Sequence, residues 1–162
     1  EEFSLDGVQY EAFNTSGGLG SLTDTYKGKV QTLNYRTIRY PGHAAIMRML
    51  LQDLRLKDRR EVLKDVLEAA VPMTSQDVVV ILVTVLGQRQ GRLMQETYAN
   101  KIYSGLVAGR QMTAIQITTA TSACAVFDLL ATGKLPQKGF IRQEDITLEA
   151  FLENRFGAPY RQ

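Results

Sequence analysis

One cysteine, one histidine and no uninterrupted apolar run of membrane length set the first limits on this chain. Cys124 has no partner for a disulfide and sits in an apolar run, so it reads as a buried structural thiol. With His43 as the only histidine, no histidine-based metal cluster can be assembled and Cys124 cannot complete a zinc set, so no metal is expected. A self-sufficient enzyme built on a nucleophile, a base or a metal would have too few parts. Charge of one sign is missing too: nineteen Lys and Arg are scattered among seventeen Asp and Glu, for a net charge of +2. There is no basic stripe for nucleic acid, which leaves a small molecule or a protein as the expected partner. No apolar stretch reaches the roughly 18 residues of a membrane span, and no signal sequence is present. No membrane association is therefore expected, and a cytoplasmic setting is. The chain opens Glu1-Glu2-Phe3 without a Met and reads as an excised piece of a longer protein.

What is present is an ordinary globular composition, with 44% hydrophobic and 22% charged residues over 162 positions. A chain of this size buries roughly two thirds of its unfolded surface and needs no disulfide or metal to fold. Residues Val8 to Phe13 alternate apolar and polar, as a strand does, and run into the glycine-rich Asn14-Thr15-Ser16-Gly17-Gly18-Leu19-Gly20. Lys29 to Tyr40, rich in Tyr, Thr, Val and Ile, predicts a long strand stopped by Pro41-Gly42. Ile46, Met47, Leu50, Leu51 and Leu54 then form a helical stripe. A second helix follows, with Asp58 and Glu61 spaced as a capping box, Val62, Leu63, Val66, Leu67 and Ala70 on its buried face, and Pro72 as its stop.

Val78 to Leu86 is nearly continuous aliphatic sequence and predicts a central strand covered on both faces. A turn at Gly87 to Gly91 returns the chain as a strand over Arg92 to Tyr103. Thr113 to Leu130 reads as a closely packed helix carrying Ile115, Ile117, Val126 and Phe127, with Gly133 and Pro136 at its exit. A short strand at Phe140 to Arg142 and a helix over Leu148 to Asn154 close the pattern. The expected class is α+β, a mixed and largely antiparallel sheet with helices packed on it, in a single domain over residues 1–162. No internal repeat or low-complexity segment divides it. The neighbouring carboxylates Glu1 with Glu2 and Glu144 with Asp145 read as solvated surface.

Two segments could carry chemistry. In the Asn14 to Gly20 loop, glycines let backbone N–H groups approach a carboxylate or phosphate, and hydroxyls add donors; a plain turn is the alternative. The loop is no dinucleotide fingerprint, because Gly17, Gly18 and Gly20 lack the later third glycine and the acidic residue about 20 positions on. The second segment is Thr37-Ile38-Arg39-Tyr40-Pro41-Gly42-His43. Strand alternation puts Tyr35, Thr37 and Arg39 on one face, where a planar guanidinium suits a substrate carboxylate, the alternative being an exposed arginine on a solvated face. His43 is of the residue type used for acid–base work, the alternative being a helix-start or packing residue.

Together these stretches resemble a known family. Glu11-Ala12-Phe13-Asn14-Thr15-Ser16-Gly17-Gly18-Leu19 resembles the strand and loop that open the second domain of the saccharopine dehydrogenase and lysine 6-dehydrogenase family. Thr37 to His43 resembles its TLRYPGH stretch, with Ile38 in place of Leu, and Gly139 to Ile146 resembles the strand before its closing helix. The resemblance runs from about Val8 to Phe156. It implies the C-terminal, substrate-binding and dimerisation domain of an NAD- or NADP-linked enzyme of saccharopine or lysine metabolism that works by hydride transfer. A Rossmann domain preceding this one, absent from the chain, would hold the cofactor, and the fragment alone would be inactive. Arg39 matches the substrate-carboxylate arginine, Asn14, Thr15, Ser16, Gly17 and Gly18 would wall the site, and His43 would stand beside it. A homodimer is implied, while the catalytic acid or base stays unassigned. The competing class is a non-catalytic dimerisation or ligand-binding module.

Overall fold

A computed structural model describes residues 1–15 and 17–161; Ser16, one of the loop candidates, and Gln162 lie outside the described residues. The chain divides between Met73 and Thr74 into two compact units. Among the described residues every strand pair is antiparallel and the strands form three small sheets, so the α+β class holds with the sheet broken into pieces.

The first unit opens with a hairpin. β1 (Glu2–Leu5) pairs with β2 (Val8–Phe13) across Asp6-Gly7, both with positive φ, 52° and 77°. That is the two-residue turn whose twist matches its flanking strands, and Asp-Gly is its sequence signal. β1 is thus an addition to the expected elements, while β2 has the expected bounds. On its other edge β2 pairs with β3 (Thr37–Arg39) and becomes the middle strand. The expected long strand from Lys29 to Tyr40 shrinks to these three residues. Pairing ends at Phe13 opposite Thr37, because β2 leaves the sheet there for the glycine loop and offers earlier residues no ladder. A one-turn helix, α1 (Leu22–Thr25), lies within the connection. Tyr10 and Ala12 are buried, and the Tyr10 ring stacks between those of Phe3 and Tyr40, with centroids 5.7 and 5.6 Å away.

Beyond Pro41-Gly42, α2 (His43–Arg48) starts and continues through a widened turn over Met49–Asp53. α3 (Arg60–Ala70) follows, and the extended Val71 before Pro72 ends it. The capping box expected from Asp58 does not form. Arg59 takes the cap position without a side-chain bond, and Asp58 lies 3.7 Å from the Arg55 guanidinium. The apolar stripe of α3 is also less covered than its spacing predicts: Leu63 and Leu67 are half-buried, and Val62, Val66 and Ala70 are exposed.

The second unit is built on a long ribbon, β4 (Val78–Arg89) with β5 (Arg92–Tyr103), joined by Gln90-Gly91. Gly87 therefore belongs to the strand, opposite Met94, rather than to the turn. The expected central strand is corrected as well. Among the described residues β4 has one partner, its first five residues are half-buried, and everything from Val83 onward is exposed. A run of β-branched residues states that apolar surface is available for covering, and two strands alone cannot cover it. A small hairpin, β6 (Gly105–Val107) with β7 (Arg110–Met112), leads to α4 (Ala114–Ala131).

At the start of α4 the Thr113 hydroxyl accepts the Gln116 N–H at 3.3 Å, while the Gln116 side chain accepts the Thr113 N–H at 3.0 Å. The helix lies against the final turn of the chain and against β4 and β5, and its Ala114, Ile117, Thr118, Ala125 and Leu129 are buried. Ile115, Val126 and Phe127 are exposed. Cys124 is exposed as well, which corrects the buried thiol: the adjacent Ala125, not Cys124, takes the covered position on α4. By length and composition α4 is apolar enough to cross a membrane, contrary to the sequence expectation, because its Thr and Ser residues dilute its apolar character less than they interrupt its runs.

Residues 140–142 form no strand, since no described strand pairs with them, and Phe140 is exposed. α5 (Leu148–Glu153) and a tight final turn over Arg155–Tyr160 then close on α4. The Tyr160 hydroxyl donates to the Thr118 carbonyl at 2.6 Å, and the Tyr160 carbonyl accepts from the Tyr98 hydroxyl and the Asn100 amide at 3.0 and 3.2 Å.

Candidate functional site

Opposed residues of an antiparallel pair point to the same side. The register Glu11 with Arg39 and Phe13 with Thr37 therefore puts these four side chains on one face of the first unit's sheet. Tyr10, Ala12 and Ile38 take the other face, where Tyr10 and Ala12 are buried. The glycine loop leaves β2 at the level of Phe13. Its Thr15 hydroxyl lies 2.6 Å from the Thr37 hydroxyl, so the loop is tied to the face that carries Arg39.

The remaining candidates fall around this contact. Asn14, Gly17 and Gly18 are exposed. Gly17 has φ 124°, and a Cβ there would meet the Tyr35 ring at 3.8 Å, while Gly18 has open space around it. Tyr35, expected to share a strand face with Arg39, stands outside β3 and beside the loop instead. Arg39 ends β3, is exposed, and donates from Nη1 to the Ile38 carbonyl at 2.8 Å. His43 is the first residue of α2, and its ring stacks on Phe13 with centroids 5.9 Å apart and planes 19° from parallel. Since Phe13 is on the Arg39 face, His43 joins that side.

Glu11 is the participant that sequence reasoning missed. Its carboxylate accepts the Gly42 N–H at 3.2 Å through Oε2 and the Ala44 N–H at 2.6 Å through Oε1. Nothing local marks it, because its partners lie more than thirty residues away and depend on strand register. Nearby, the Arg36 guanidinium pairs with Glu1 and, by hydrogen bond first and charge second, holds that carboxyl below its ordinary value. An open groove elsewhere in this unit, lined by Leu51, Lys57, Arg60, Leu63, Lys64, Leu67 and Glu68, shares no residue with the candidates.

The pattern of the saccharopine dehydrogenase C-terminal domain matches residues 1–155. The chain belongs to that family. No solved structure gives a significant match to it. The saccharopine dehydrogenase C-terminal domain is an oxidoreductase-associated module, which places this chain in that setting. The described residues of this domain hold no Rossmann-type dinucleotide-binding unit. All their strand pairs are antiparallel, so no parallel strand–helix–strand crossover exists to aim a glycine turn at a pyrophosphate.

Proposed function

We propose that this domain forms the substrate-binding and dimerisation part of an NAD(P)-dependent oxidoreductase acting by hydride transfer on saccharopine, lysine or a related amino acid. The nucleotide is held by another domain of the parent protein, and the two compact units act here as one substrate domain. Arg39 grips the substrate carboxylate, the loop from Asn14 through Thr15, Gly17 and Gly18 walls it, and His43 lines the same side. The observation that carries this reading is the Thr15 to Thr37 hydroxyl contact, which brings the loop onto the strand face of Arg39. A guanidinium there offers paired N–H donors to a carboxylate, and the loop adds small, polar surroundings. The enzyme is proposed to be cytoplasmic and homodimeric, with neither nucleic acid nor membrane as partner.

The test assays the full-length protein that carries this domain for NAD(P)H formation with lysine and with saccharopine, alongside Arg39→Ala. Losing charge-assisted hydrogen bonds at the carboxylate costs about 2–3 kcal/mol, so the amino-acid KM should rise roughly 30- to 150-fold. Absence of turnover with both substrates, together with unchanged amino-acid binding in Arg39→Ala, would refute the reading.

A second reading, a non-catalytic dimerisation or ligand-binding module, draws on the outer half of the β4–β5 ribbon. Val85, Leu86 and Leu93 there are 62%, 64% and 71% exposed, more apolar surface than an isolated two-stranded ribbon should leave in water. The first reading includes this surface as its dimer contact, whereas the second makes it the whole purpose.

A further inference from the structure

The bend that carries Pro41, Gly42 and His43 is held in place by β2. Gly42 occupies the cap position of α2 at φ 95° and has no side chain with which to satisfy the helix's first N–H groups. The half-buried Glu11 carboxylate does so from across the sheet, one oxygen on Gly42 and the other on Ala44. His43 lies between those two bonded N–H groups, and its ring rests on Phe13, two residues along β2 from Glu11. Opposite Glu11 in the sheet is Arg39. One strand thus fixes the backbone on both sides of His43, supports its ring, and pairs with the residue proposed to grip substrate.

We propose that Glu11 is a positioning residue of the substrate site, setting the Arg39-to-His43 bend through its two bonds to Gly42 and Ala44. This rests on the reading of Arg39 and His43 as substrate-binding. The start of α2 already holds a carboxylate of the chain's own, so a substrate carboxylate is left to Arg39 rather than to the helix. A carboxylate that merely caps a helix contributes stability alone, whereas one that sets the site also changes how well substrate is held.

The experiment compares Glu11→Gln, Glu11→Asp and Arg39→Ala in the full-length protein, reading kcat, KM for the amino acid, KM for the nicotinamide nucleotide and thermal unfolding. Gln keeps one acceptor oxygen and turns an amide donor toward the other N–H; Asp keeps the charge one methylene short. Glu11→Gln should raise the amino-acid KM about tenfold, the factor carried by one charge-assisted hydrogen bond. The nucleotide KM should stay unchanged, kcat should stay within about threefold, and Glu11→Asp should recover part of the loss. The proposal is overturned if folded Glu11→Gln keeps its amino-acid KM, or loses only stability, while Arg39→Ala raises KM. If Arg39→Ala also leaves KM unchanged, the substrate-site reading fails first and takes this one with it. Should Glu11→Gln not fold, Glu11→Asp supplies the same comparison, and an unchanged KM there overturns the proposal.

Discussion

Gly157 is the position where the smallest change should cost most. A Cβ placed on it would overlap the Phe151 carbonyl oxygen and lie 2.9 Å from that carbonyl carbon and 3.1 Å from the Leu152 Cα, where ordinary contact begins at 3.4 Å. All three are backbone atoms of α5, so no side chain can swing aside. Gly157 does not need a positive φ, which makes the penalty steric rather than conformational. Forcing the final turn off α5 costs about 1–3 kcal/mol as overpacking. The same turn carries Tyr160, whose hydroxyl and carbonyl tie α4 and β5 together, and each of those bonds contributes about 1 kcal/mol if lost. Gly157→Ala is therefore expected to destabilise the protein by about 3 kcal/mol in urea unfolding followed by circular dichroism, with the slope unchanged. Gly87→Ala is the control: nothing lies within 4 Å of its Cβ, and its backbone needs no positive φ. It should be neutral, or stabilising by up to about 1 kcal/mol, through lost freedom of the unfolded chain. A Gly157→Ala midpoint equal to that of the parent would show that the turn does not pack on α5 and would refute the reasoning.

Two further outcomes concern charge and assembly. Asp128 accepts from the Asn154 amide at 2.8 Å and the Arg155 guanidinium at 2.6 Å, and these partners, Asn154 first, lower its pKa. With the folded value below the unfolded one, the stabilisation is present above the ordinary aspartate range of about 4 and is lost as pH falls through the lowered value. Asp128→Asn should accordingly lower the melting temperature at pH 7 and lower it less at pH 3; an equal drop at both pH values would count against the electrostatic account. On the ribbon, Leu86→Lys adds a charge to an exposed apolar patch and should shift the full-length protein from the proposed dimer to monomer by light scattering, with thermal stability of the monomer retained. An unchanged mass would refute the proposal that this face is a dimer contact.

Local order was legible wherever the cause was local. The helix that starts at Thr113, the strand at Val8 to Phe13, the helices after Pro41 and the two long strands around Gly91 follow from residues within a few positions of one another. The errors have a common source. Lys29 to Tyr40 has strand composition over its whole length, yet only Thr37–Arg39 finds a partner, since β2 departs at Phe13. Val78 to Leu86 looks like a buried centre and is one edge of a ribbon. Asp58 has capping spacing and caps nothing.

The candidate site divides along the same line. The amino-acid sequence by itself determined that a glycine loop, an arginine at a strand end and a histidine at a helix start exist, and which family they belong to, because residue type and spacing carry that information. Only the tertiary structure decided that Thr15 meets Thr37, that His43 rests on Phe13 and that Glu11 reaches Gly42 and Ala44. Those contacts depend on the register of β2 against β3, and a slip of one residue would put Glu11 and Phe13 on the face opposite Thr37 and Arg39.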